Sequence, residues 1–166
     1  MKDSISGRFK FCPLCGRILG EKQIERQRRL VCQKCGWVYY KNPLPVAVCA
    51  AKNKEGKILI VKRNLKPAIN KWALPGGFVE SDELPEIACL RELYEETGLK
   101  GKIKKLIGIY IHKTREYGSL LVIGYEVMIV RGLLLLNNES KDAKFFNKKD
   151  LPVIPFSSHR KIIKEV

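Results

Sequence analysis

Three glutamates lie close together on a segment with helical character, and they could hold a divalent cation. When residues are placed about 100° apart around a helix, Glu92, Glu95 and Glu96 fall within roughly a 100° arc. Like charges at i and i+4, and acids in a last helical turn, are both destabilising. Bound magnesium would remove this conflict, because it prefers carboxylate oxygens and leaves coordination positions to water and substrate phosphates. A solvated acidic face paired with Arg91 is the alternative.

Two Cys-x-x-Cys-Gly motifs near the N-terminus predict a second metal centre. Sixteen residues separate the pair Cys12 and Cys15 from the pair Cys32 and Cys35. This spacing is typical of a tetrahedral zinc site, in which each motif supplies two thiolates and the glycine permits a tight turn. Four protein ligands close such a site, so we expect it to be structural. Iron in the same cage is the alternative metal.

The composition of the 166-residue chain is that of a globular protein. It is 45% hydrophobic and 30% charged, which excludes collagenous, low-complexity and wholly disordered classes. The formal net charge of +15 predicts attraction to polyanions such as nucleotides, polyphosphates or nucleic acid. Residues 1–41 contain ten basic and three acidic residues, so the positive charge is densest there.

The N-terminal residues 1–11 are polar, unlike a secretory signal, and no apolar run approaches the roughly 18 residues of a membrane span. We therefore expect a cytoplasmic protein with no membrane partner. In a reducing cytosol, clustered cysteines are metal ligands rather than disulfides. Cys49 and Cys89 occur singly in apolar surroundings and are expected to be small buried residues.

The metal-binding motifs must be positioned by two structural parts. Pro43 and Pro45 interrupt regular structure, so we predict a zinc ribbon at 1–42 and a second domain at 43–166. The acidic helix should begin at an N-cap provided by Ser81 or Asp82 and end at Gly98.

Hydrophobic patterns predict the other elements of the second domain. Apolar runs at 46–51 and 57–63 predict a hairpin, and 105–112 and 120–130 predict long strands. We expect residues 131–144 to form a loop that starts with a short apolar strand, and residues 157–166 to form a closing helix.

The stretch around the acidic helix resembles the Nudix box. Gly77 is followed by five residues, Glu83, seven residues, and then Arg91-Glu92-Leu93-Tyr94-Glu95-Glu96-Thr97-Gly98-Leu99. Nine specified positions match across 23 residues, which makes the resemblance specific. It implies an α/β/α sandwich and a hydrolase of a nucleoside diphosphate joined to another group.

The resemblance also implies roles for individual residues. Glu92, Glu95, Glu96 and the carbonyl oxygen of Gly76 would bind catalytic Mg²⁺ or Mn²⁺, and Glu83 would anchor Arg91. Gly76 and Gly77 suit such a site, since residues without Cβ let the backbone approach an ion or phosphate closely; an ordinary turn is the alternative. The metal would neutralise the diphosphate and activate a water molecule.

Other residues are candidates for the general base and for substrate contacts. Such families often supply the base from the box itself or from a downstream acidic loop, here Glu139 or Asp142. Among the substrate-contact candidates are Arg63 and Lys71 for phosphates, Trp72, Phe78 and Tyr40 for a nucleobase, and the backbone of Gly77. Solvated charges and core aromatics are the alternatives. His112 and His159 show no partner pattern and receive no role.

The four-cysteine motif followed by the box resembles the zinc-ribbon Nudix hydrolases, which include NADH and ADP-ribose pyrophosphatases. The NADH group carries a Ser-Gln-Pro-Trp-Pro-Phe-Pro stretch after the box, whereas residues 109–115 here read IYIHKTR. The resemblance therefore favours ADP-ribose or a similar dinucleotide. It also leaves a homodimer open, since many relatives dimerise.

Two other functions compete with this reading. The ribbon could bind nucleic acid and direct the enzyme to capped or triphosphorylated RNA ends, because it is strongly basic. Against this, the ribbon lacks an evident series of stacking aromatics, although Trp37, Tyr39 and Tyr40 lie just after the second motif. Alternatively, the domain could sense ADP-ribose without cleaving it, although that normally requires a broken box.

Overall fold

The computed structural model describes residues 9–166. The expectation of no secretory signal depends on residues 1–11, and most of these lie outside the described residues. Contacts divide the chain into two units. The first is Met1–Pro43 with Lys113–Ser119, and the second is Leu44–His112 with Leu120–Val166. The sequence-based division at 42/43 did not assign residues 113–119 to the ribbon.

The first unit contains a three-stranded antiparallel sheet. Its strands, in the order β1-β2-β3, are β1 (Leu19–Ile24), β2 (Gln27–Cys32) and β3 (Val38–Tyr39). Glu25 and Arg26 both have positive φ angles in the tight turn between β1 and β2. A small core contains Cys12, Leu19 and Cys32, and Cys15, Leu30 and Trp37 pack against it.

The second unit is built on a seven-stranded mixed sheet with two α-helices. Its elements are β4 (Leu44–Lys52), β5 (Ile58–Arg63), β6 (Trp72–Ala73), β7 (Gly76–Phe78), α1 (Pro85–Thr97), β8 (Lys100–Thr114), β9 (Gly118–Arg131), β10 (Ser140–Phe146), a 3₁₀ helix (Lys148–Asp150) and α2 (Ser157–Lys164). The main path through the sheet is β10-β5-β4-β9-β8; β6 pairs with β5, and β7 pairs with β4. The two ends of β8 and β9 that meet in the hairpin belong to the first unit.

The central strand β4 determines where the box lies. It pairs in parallel with β9 and in antiparallel fashion with β7, with Val48 opposite Gly76 and Ala47 opposite Gly77. The expected hairpin between β4 and β5 is present, but only Lys52 and Ile58 pair. Beyond that pair the two strands diverge, and β7 takes the place beside β4.

The two faces of the sheet are each covered by one helix, which confirms the predicted α/β/α sandwich. Alternating residues of β4 point to opposite faces. Cys49 and Leu59 pack on the side of α1, while Val48 and Ile60 pack on the side of α2. Both cysteines outside the motifs are buried, as expected. They are not isolated, because Cys49 and Cys89 contact each other beneath α1.

Two local predictions are wrong. Helix α1 begins at Pro85, with Leu84 at the N-cap position and without a side-chain cap from Ser81 or Asp82. Proline suits a first helical position because the missing N–H would have no helical partner. Residues 133–136 do not form the expected strand; instead Leu135 N–H donates to the carbonyl of Thr97 at 2.9 Å. The strand in this region is β10.

The predicted end of α1 is confirmed, since Gly98 adopts a left-handed conformation with φ of 70°. Across residues 9–166, no helix is long and apolar enough to cross a membrane.

Candidate active site and metal centre

A network around Arg91 connects α1 to the loop that precedes it. Arg91 Nε donates to Glu83 Oε1 at 2.8 Å, and its second terminal nitrogen donates to Glu83 Oε2 at 2.9 Å and to the Phe78 carbonyl at 2.9 Å. The other terminal nitrogen donates to Glu92 at 2.7 Å and Glu95 at 3.0 Å. One guanidinium therefore contacts three carboxylates.

The three helix glutamates differ strongly in burial. Glu96 is 6% exposed, and its Oε2 has no hydrogen-bond partner within the described part of the chain. The side chain of Glu92 is 13% exposed, whereas that of Glu95 is 51% exposed. The structure thus brings all three to one helix edge but buries only two of them.

Burial dominates the electrostatics of the two inner carboxyl groups. It raises the pKa of Glu96 to about 8, and the charges of Glu92 and Glu139 add to this rise, while Arg63 and the Gly76 N–H oppose it. Burial also raises the pKa of Glu92, although Arg91 counteracts it. A cation near these oxygens would favour their ionised forms.

Both glycines before the box lie where a side chain would not fit. A Cβ on Gly76, whose φ is 152°, would overlap the Ala47 carbonyl oxygen, and one on Gly77 would overlap the Glu92 carboxylate. Gly77 therefore allows Glu92 to lie directly against β7.

Of the two candidate bases, only Glu139 lies near the helix carboxylates. Its charge raises the pKa of both Glu92 and Glu96, although its own side chain is exposed. Its backbone carbonyl accepts a hydrogen bond from Asn64 N–H at 2.7 Å, which fixes it beside the end of β5. Asp142 instead forms an ion pair with Lys144 at 2.8 Å.

The predicted substrate contacts lie in different environments. Arg63 acts electrostatically on Glu96, and its guanidinium donates to the carbonyl of Pro67 at 2.9 Å. Phe78 is 37% exposed on β7, beside the box. Trp72 packs on the opposite face of the sheet, against Phe146 in the core beneath α2.

His159, to which the sequence analysis gave no role, lies next to this site. Its Nδ1 accepts a hydrogen bond from the Leu74 N–H at 3.1 Å, two residues before Gly76. Burial, with the charges of Arg63 and His112, holds the pKa of His159 well below its usual value, so the ring is neutral at neutral pH. No motif marks this residue in the sequence, because its partner is a backbone N–H 85 residues away.

The four clustered cysteines converge as the spacing predicts. Their sulfur atoms all lie within 4.8 Å of one another, with distances of 3.5 Å between Cys12 and Cys35 and 3.4 Å between Cys15 and Cys32. Zinc with four thiolates has sulfur–sulfur distances of about 3.8 Å. The cluster therefore has the size of a tetrahedral metal centre.

Both motifs fold in the same way. The glycine after each motif has a positive φ angle and donates its N–H to the first cysteine carbonyl at 2.9 Å. The Cys35 N–H lowers the pKa of Cys32 to about 6. For Cys35, the Trp37 N–H lowers the pKa, but the neighbouring thiols and burial together raise it to about 12. The thiolate form is therefore favoured at Cys32 and disfavoured at Cys35.

The ribbon also contains a short aromatic stack, in which Phe9 joins two of the aromatics that follow the second motif. The rings of Phe9 and Tyr39 are 4.7 Å apart, and those of Tyr39 and Trp37 are 6.1 Å apart and nearly parallel. The sequence places Trp37 and Tyr39 close together, but Phe9 is 30 residues from Tyr39, so no local pattern indicates that it joins them. In addition, the Arg29 guanidinium lies 4.5 Å from the ring centre of Tyr40.

Comparison with known sequences identifies relatives of the second unit. The NUDIX domain family model matches residues 41–166. An ADP-ribose pyrophosphatase of Methanocaldococcus jannaschii is 41% identical over 121 residues, which cover 72% of this chain and 71% of that protein. Diphosphoinositol polyphosphate phosphohydrolase 2 of Rattus norvegicus is 36% identical over 76 residues, which cover 46% of this chain and 41% of that protein.

A solved structure resembles nearly the whole chain. A NUDIX hydrolase from Nitrosomonas europaea superimposes with a TM-score of 0.82 at 27% identity, covering 94% of this chain and 89% of that one.

Proposed function

The chain belongs to the NUDIX family and is a Nudix pyrophosphohydrolase, and we propose that its substrate is ADP-ribose or a similar small dinucleotide. Hydrolysis of ADP-ribose would yield AMP and ribose 5-phosphate. The similarity to an ADP-ribose pyrophosphatase over 72% of the chain supports this substrate. The net charge of +15 is consistent with any diphosphate.

The main support for the proposed metal dependence comes from Glu96 Oε2. This oxygen is buried and has no hydrogen-bond partner among residues 9–166. A buried carboxylate oxygen without a hydrogen-bond partner is costly, and here it lies beside a second carboxylate, Glu92, whose pKa is also raised. Hard oxygen donors of this kind suit Mg²⁺ or Mn²⁺. We therefore propose that Glu92, Glu95, Glu96 and the Gly76 carbonyl oxygen hold the catalytic metal.

When bound, such a metal would neutralise the diphosphate and lower the pKa of a water molecule. Protein side chains would position the metal-binding glutamates. Arg91 holds Glu92 and Glu95 in place, and Glu83 in turn holds Arg91 through two hydrogen bonds. The Gly77 backbone, together with Arg63 and Phe78, would contact the substrate.

We assign the general base to Glu139. It lies within electrostatic reach of Glu92 and Glu96, and its side chain is exposed, so an attacking water molecule could approach it. The Asn64 N–H fixes its backbone at 2.7 Å. Asp142 is a poorer candidate because Lys144 pairs with it.

In the ribbon we propose structural zinc, bound by Cys12, Cys15, Cys32 and Cys35. The cluster supplies four thiols at tetrahedral spacing, so it offers no position for a substrate. Measurement of bound metal by mass spectrometry distinguishes zinc from iron.

The deciding experiment is product analysis with a substrate panel: ADP-ribose, NADH, dinucleoside polyphosphates, nucleoside triphosphates and capped RNA, each with Mg²⁺. The wild-type chain is compared with Glu96→Gln and with Glu55→Gln, which changes an exposed acid that forms an ion pair with Lys57 at 2.6 Å. We expect ADP-ribose to turn over in wild type and Glu55→Gln but not in Glu96→Gln. Binding of ADP-ribose without turnover under any divalent metal would instead establish a sensing role.

A second candidate function is single-stranded nucleic-acid binding by the ribbon. The stack of Phe9, Tyr39 and Trp37 could support bases, and Arg28 is 79% exposed on the same sheet face as Tyr39. Filter binding of a single-stranded RNA at increasing salt tests it. Affinity that falls steeply with salt, and falls again in Tyr39→Ala, supports the idea; an affinity independent of salt excludes it.

A further inference from the structure

The backbone that leads into the box is held from three sides. The Pro75 carbonyl accepts a hydrogen bond from the Cys49 N–H of β4 at 2.9 Å, and the Gly76 N–H points to Glu96 of α1. The third contact comes from outside the box, because the Leu74 N–H donates to Nδ1 of His159 in α2 at 3.1 Å. Residues 74–76 are thus anchored to a strand and to both helices.

His159 is well suited to this contact. The centre of its ring lies 5.0 Å from the centre of the Phe156 ring. The ring of His112 also packs against Phe156, with 6.1 Å between the ring centres. An acceptor at Nδ1 requires that the proton be on Nε2. The burial and neighbouring charges that keep His159 neutral therefore also preserve its ability to accept.

The helix that carries His159 is firmly attached to the sheet. Ile162 is fully buried and Ile163 nearly so in the core beneath α2. The acceptor of the Leu74 N–H therefore belongs to a helix that lies outside the box.

We propose that His159 is a positioning residue for the active site: by accepting the Leu74 N–H, it places the backbone whose Gly76 carbonyl is a proposed metal ligand. This inference rests on the proposed function. Displacements well under 1 Å at a ligand are enough to lower a catalytic rate.

Three variants separate positioning from simple stability. His159→Phe keeps an aromatic ring but removes the acceptor, and His159→Asn places an amide oxygen close to where Nδ1 lies. Ile162→Val loosens the same helix without affecting the Leu74 hydrogen bond. Amide exchange at Leu74 and Gly76 is measured in all of them, together with kcat and KM for ADP-ribose.

In His159→Phe we expect exchange at Leu74 to accelerate roughly tenfold, and kcat to fall about tenfold while KM stays within about twofold of wild type. His159→Asn should recover both. Ile162→Val should lower the melting temperature and leave kcat unchanged.

Unchanged exchange at Leu74 in His159→Phe would overturn the proposal, and so would faster exchange with an unchanged kcat. If wild type hydrolyses none of the panel, the proposed function fails, yet the exchange comparison still tests whether His159 holds this segment.

Discussion

The ribbon centre and the carboxylate centre are both groups of side chains proposed to bind a metal, but they differ in what the protein supplies around them. Four sulfur atoms form a complete tetrahedral set within a three-stranded sheet that has only a small core. The carboxylates of Glu92 and Glu96 instead lie between a seven-stranded sheet and α1, and two carboxylates would leave coordination positions of a bound cation to water and substrate. The comparison supports the proposal that a metal would maintain the fold in the first centre and would serve chemistry in the second.

The strongest test of this difference is removal of the ribbon metal, by chelation or by Cys32→Ser. Structural zinc contributes on the order of 10 kcal/mol to the folding of such units. We therefore expect amide protection to disappear from β1 and β2 and to persist in β4 and α1, as measured by hydrogen exchange. Cys89→Ala is the control, since Cys89 lies in the other unit and the variant should keep its zinc. Retained protection in metal-free β1 and β2 would refute a structural role.

The opposite behaviour is expected of the carboxylate centre. Glu96→Gln should lower kcat by about a thousandfold, because several kcal/mol of metal-dependent stabilisation are lost, yet leave the far-ultraviolet circular dichroism unchanged. Glu95→Gln should cost only about tenfold, since Glu95 is half exposed and bound by Arg91. Equal losses in the two variants would contradict the assignment of Glu96 as the inner ligand.

The pH dependence of stability sharpens the same contrast. The pKa of Glu96 is about 8 in the folded chain and 4.5 in the reference state, so between these values the folded form retains a proton that the unfolded form has lost. The contribution of Glu96 to the free energy of unfolding therefore decreases as pH rises from 4.5 to 8 without metal.

Glu96→Gln removes this dependence and should be more stable than metal-free wild type at pH 8, by on the order of a few kcal/mol. Urea unfolding at pH 6 and pH 8, followed by Trp72 fluorescence in a Trp37→Phe background, measures this difference. Parallel pH profiles in the two proteins would show that Glu96 is not the responsible group. Added Mg²⁺ should stabilise wild type more than the variant.

The smallest effect is expected at the support of Arg91. Glu83→Gln loses a bidentate, charged pair, so the free energy of unfolding should fall by about 1–2 kcal/mol and kcat by roughly tenfold. Combining Glu83→Gln with Arg91→Lys tests the coupling. If the two losses add without interaction, Glu83 does not act through Arg91.

Local sequence patterns were sufficient for much of the fold. Alternating and β-branched runs predicted β4, β5, β8 and β9, and Gly98 predicted the end of α1, because these signals depend on neighbouring residues. The start of α1 was wrong because Ser81 and Asp82 are capping residue types, whereas the chain uses Pro85 at the first turn. The leucines at 133–136 suggested a strand. In the structure they form no strand, and the Leu135 N–H instead donates to the Thr97 carbonyl.

The sequence by itself determined the types of candidate metal-binding side chain and how they are grouped. Both depend on short spacings, with two cysteines in each motif and three glutamates within five residues of one helix. Only the tertiary structure decided which glutamate is buried, that Glu139 rather than Asp142 lies near it, and that His159 holds Leu74. These relations join residues 40 or more positions apart, and the packing of α1 and α2 on opposite faces of one sheet establishes them. Burial and long-range hydrogen bonds arise from that packing, so no local pattern of residues encodes them.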